Sequence, residues 1–150
     1  MSTLATILTE LAGVIRDTVD DVTDVDVQVE DMIVINPTTP CIDMWPATPS
    51  SDIEPTGFSA HLGNEGELIT VRARVAATDS RAEQELLLAL MDEEDPLSVA
   101  AAVLEDTSLN GTASDVALRD RTGFLPVLDV TGSVSMISCE WTFMVVKALS

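Results

Sequence analysis

The stretch from Val134 to Val146 constrains the fold most. Ile137, Cys139, Trp141, Phe143 and Val145 stand at alternate positions, with Met136, Ser138, Glu140, Thr142 and Met144 between them. A period of two separates these sets onto the two faces of an extended strand. One face is wholly apolar and must be buried. The other is mixed, which fits partial cover by another element. Glu67–Ala76 repeats the pattern: Ile69, Val71, Ala73 and Val75 point one way, and Thr70, Arg72 and Arg74 the other. That alternation predicts a half-buried strand.

Around these strands the period changes. Leu4, Ile7, Leu8, Leu11, Val14 and Ile15 follow helical spacing and predict an amphipathic first helix. Asp17, Asp20, Asp21, Asp24 and Asp26 are expected to end it and lead into short strands at Val25–Val29 and Met32–Ile35. A strand at Cys41–Trp45 and an irregular, proline-containing loop over 46–57 come next. Ser80-Arg81-Ala82-Glu83 has the form of a capping box, opening a helix that buries Ala82, Leu86, Leu87, Leu90 and Met91. Asp95 as cap and Pro96 as first helical residue predict a second helix at about Leu97–Leu104. Its residues are apolar nearly all round, as in a deeply buried helix or a subunit contact. Asn110-Gly111 marks a turn, followed by strands near Val116–Arg119 and Phe124–Leu128. Runs of strands divided by a helix pair predict an α+β fold. Its mostly antiparallel sheet would be flanked by the N-terminal helix and the central helix pair, in one domain over residues 1–150.

Charge limits function. Acidic residues number 26 against 7 basic, a formal net charge of −19. Such a field repels nucleic-acid phosphates and anionic membranes, so it argues against a protein that grips either. It also requires any self-assembly to rest on apolar contacts that outweigh the repulsion. With 46% hydrophobic residues and a mean hydropathy of +0.27, the chain has the means to bury a core and is not disordered. The unbroken apolar run Leu86–Met91, which no other run exceeds, is far short of the roughly 20 residues of a membrane span. The amino terminus lacks the basic region of a signal peptide, so secretion is not expected.

No nucleophile elbow, zinc-protease helix or glycine-rich phosphate loop occurs. The single histidine, His61, has no Cys or His near it and reads as a loop or strand-end residue. Aligned to a calcium loop from Asp24, the acidic stretch puts Val29 where glycine is required and Ile35 where the bidentate glutamate belongs. It therefore reads as a solvated turn. Cys41 and Cys139 lie far apart in sequence and read as reduced core residues. No enzyme, metal or cofactor is expected.

Three groups are candidates for contacts. Arg72 with Arg74, and Arg119 with Arg121, are spaced to share a strand face, where they meet carboxylates of their own chain or of a neighbouring copy. Asp92, Glu93 and Glu94 lie at the helix–helix junction, either for solubility or as an acidic surface facing something. Trp45 and Phe58 bracket the 46–58 loop and suit either an interface anchor or the core.

The chain resembles the tail-terminator (tail-completion) proteins of long, non-contractile-tailed bacteriophages. The resemblance spans nearly the whole chain. It lies in the opening helix, the segment Thr39–Pro46, the strand Leu68–Val75 and the helix Ala82–Met91. Pro96–Leu104 running into Asp106–Gly111, and the long final strand, complete it. It implies an α/β fold with a helix-flanked sheet. It further implies six copies in a ring that caps the tail tube, stops its polymerisation and offers the surface for head attachment. The implied partners are the chain itself, the tube protein and a head-completion or neck protein, in a virion assembled in the host cytoplasm. DNA would pass through the hole without specific binding. Six copies at −19 each would carry −114, screened beyond about 8 Å at physiological salt, and a carboxylate-lined hole would let DNA slide. The alternatives are another head–tail joining or minor tail protein, or a small binding or enzymatic domain of a halophile whose acidity is an adaptation to salt.

Overall fold

Helix α1 (Leu4–Val22) opens the chain, capped by Thr3, whose hydroxyl accepts the amide proton of Thr6. The computed structural model describes residues 3–47, 66–78 and 81–148. The helix buries Ile7, Leu11, Ala12, Ile15 and Val19. It runs on through Asp17, Asp20 and Asp21, which were expected to end it. Those carboxylates sit on its solvent side, while Ile15 and Val19 continue the apolar stripe, so the helix does not have to stop.

Five further segments build the sheet with one short opening strand. In chain order the strands are β1 (Gln28–Val29), β2 (Cys41–Pro46), β3 (Gly66–Ala76), β4 (Ala113–Arg121), β5 (Leu125–Leu128) and β6 (Val134–Lys147). Helices α2 (Arg81–Met91) and α3 (Val99–Glu105) fall between β3 and β4. The sheet order is β1-β2-β3-β6-β4, and β5 also pairs with β6. Only β1 and β2 are parallel; every other pairing is antiparallel. The α+β class, with its mostly antiparallel sheet, N-terminal helix and central helix pair, is as expected.

Met32–Ile35 forms no strand, contrary to expectation. The backbone there crosses the outer face of the sheet, bonding through Val34 to side chains instead of to a strand partner. The start of α3 also differs. Asp95 Oδ1 accepts from the Leu97 amide within a turn, and Ser98 is the true cap, its Oγ accepting from the Ala101 amide at 3.0 Å. Pro96 therefore serves the turn and not the first helical position. The expected capping box lies partly outside the described residues, since it begins at Ser80.

The core lies between the helices and one face of the sheet. Ile42, Met44, Ile69, Val71, Ala73, Val75, Trp141, Phe143 and Val145 form that face and join the stripe of α1 with Leu87, Leu90, Val99 and Val103 in one cluster. Each large side chain fully buried here contributes about 1.5–3 kcal/mol. The other face is closed further than alternation implied, because Thr70, Arg74 and Ser138 are buried as well. β3 is thus largely buried on both faces, not half-buried.

Cys41 and Cys139 are free and buried. In register Cys41 stands beside Arg74, and Cys139 beside Ala73. The two thiols are therefore on opposite faces and two strand spacings apart, about 10 Å. A disulfide needs Cα atoms within about 7 Å. Burial pushes both thiols above their ordinary pKa.

Candidate functional site

The buried carboxylate of Asp43 gathers the first pair of arginines. Register places Asp43 of β2 directly beside Arg72 of β3 on the outer face. Arg72 donates from Nε to Oδ1 at 3.0 Å and from Nη2 to Oδ2 at 2.6 Å, the two-pronged geometry that suits a guanidinium to a carboxylate. Arg74 Nη2 donates to Oδ2 at 3.0 Å and to the Val34 carbonyl at 2.7 Å. The Val34 amide completes the set, donating to Oδ2 at 3.0 Å. Arg72 also lies over the Trp45 ring, 4.8 Å from its centroid. These bonds pin the crossing segment around Val34 to the sheet. The role is structural: both oxygens of the carboxylate are taken up by Arg72, Arg74 and the Val34 amide.

Of the two partners left open for Arg72 and Arg74, the structure shows a carboxylate of their own chain. Arg74 is buried, and Arg72 is committed to Asp43 and Trp45. Trp45 is half-buried as a platform for Arg72. Phe58 and His61 lie outside the described residues.

The second arginine pair does not join the first. β6 lies between β3 and β4. Arg121 stands in register with Trp141, on the helix side of the sheet and opposite to Arg72. Arg119 falls in the register shift between Leu118 and Asp120. Arg121 does meet another candidate group: it lines one open groove with Leu88, Met91, Asp92, Glu93 and Glu94. The three carboxylates are exposed in the turn after α2, where Asp92 Oδ1 also accepts from the Glu94 amide.

The feature that was not anticipated is the end of the β4–β5/β6 hairpin. β3 holds one edge of β6 from Val146 to Met136, while β4 and then β5 follow its other edge. Past Met136 the Ala77 amide still donates to the Ser135 carbonyl at 3.2 Å. From Val134 to the tip, among the described residues, β5 alone accompanies β6, so the tip of the ribbon runs past the described part of β3. Leu128 is 60% exposed, Val130 105% and Val134 47%, with Phe124 and Leu125 also exposed. Between Gly123 and Cys139 the only charged residue is Asp129. In a chain that is 22% charged, this is an arm with a single charged residue and several exposed apolar ones. Its sequence signal was legible as a gap in the charge pattern, whereas its projection depends on where β3 stops.

The arm is held in shape by its own bonds. Asp129 Oδ1 accepts from the Thr131 amide at 2.8 Å, the Thr131 hydroxyl at 2.6 Å and the Ser133 amide at 3.1 Å. The Asp129 amide donates to the Ser133 carbonyl at 2.8 Å, and Gly132 takes the positive φ of +85° that the turn needs. These donors hold the Asp129 carboxyl below its ordinary pKa. At the base of the arm, the Thr122 hydroxyl accepts from the Glu140 amide at 3.0 Å, and the Thr122 amide donates to the Glu140 carbonyl at 2.8 Å.

Among the described residues no group of three or more His, Cys, Asp or Glu is placed to hold a metal ion, and no helix is long and apolar enough to cross a membrane. No protein-family model matches the chain, and no curated protein matches it.

Proposed function

We propose that the chain is a structural virion protein that caps the end of a phage tail tube as a ring, halting tube growth and providing the surface for head attachment. The observation that carries this reading is the projecting arm. A chain at −19 can associate with its own copies only where the repulsion is weakest, and the arm is an exposed stretch that carries one charged residue, Asp129. Turn bonds pre-organise it, so little ordering entropy is lost when it docks. The resemblance in the order of elements supplies the ring, the tube protein and the neck protein as partners. The exposed carboxylates of Asp92, Glu93 and Glu94 suit a surface past which DNA slides without sticking.

Negative-stain images test this. The purified chain, alone and mixed with purified tail tubes, should give rings with a central hole and tubes closed at one end. Absence of rings from both samples, with tubes that keep elongating, would refute it.

A further inference from the structure

We draw no further inference here: the strongest candidate, the sheet edge at β4, carries nothing, since its register shifts near both ends and its charged residues are the features that guard an edge strand against pairing, and nothing in the structure shows what covers it.

Discussion

Asp43 shows how a single residue can organise a surface without being a site of chemistry. It is fully buried, and it neutralises Arg72 and Arg74 while binding the Val34 amide. Asp43→Asn keeps the shape but leaves Arg74, also buried, without its counter-charge. Breaking a buried pair from one side costs about 3–5 kcal/mol, so urea unfolding should show a loss of that order. Arg72→Ala should cost less, since its side chain is 21% exposed and water can replace part of the bond to Asp43. Sequence alternation was enough to place Arg72 and Arg74 on one face. It could not supply their partner, because Asp43 is brought there only by the register of β2 on β3. Spacing was legible and pairing was not, which is why the sequence left their partner open between their own chain and a neighbouring copy.

At the scale of elements, the strongly periodic ones were legible and the aperiodic ones were not. The alternation of β6 and β3 and the stripe of α1 each announce a face that has to be covered. The end of α1 was misplaced because acidic residues look like a terminus in one dimension but can lie along the solvent side of a longer helix. The crossing at Met32–Ile35 has strand-like composition, yet its polar backbone is satisfied by Asp43 and Arg74. The turn of the arm yields a prediction. Its carboxylate, Asp129, has a lowered folded pKa, so its contribution is full above the ordinary aspartate value of 3.8 and is lost as pH falls through the lower folded value. Protection of the Thr131 and Ser133 amides, measured against their intrinsic exchange rates, should therefore hold at neutral pH and fall only in acid below that value. Asp129→Ala should lower that protection throughout the range above the folded value, with global stability little changed because the turn is exposed.

For the whole molecule, the decisive property is the contrast between an acidic body and an arm with a single charged residue, Asp129. The charge was visible from composition. The arm was not, because its exposure depends on β3 ending at Ala76 while β6 and β5 continue. Acidity of this degree also occurs in salt-adapted domains, which unfold when salt is withdrawn; on the ring reading the fold persists in low salt while association weakens. Molar mass by light scattering across salt concentration tests the claim that the arm is the assembly surface. The account predicts a multiple of the 16.0 kDa chain mass, increasingly populated as salt screens the repulsion, and a Leu128→Asp/Val130→Asp variant that stays at the mass of one chain. A native chain that is monomeric at every salt and protein concentration, or a variant that assembles as the native chain does, would contradict it.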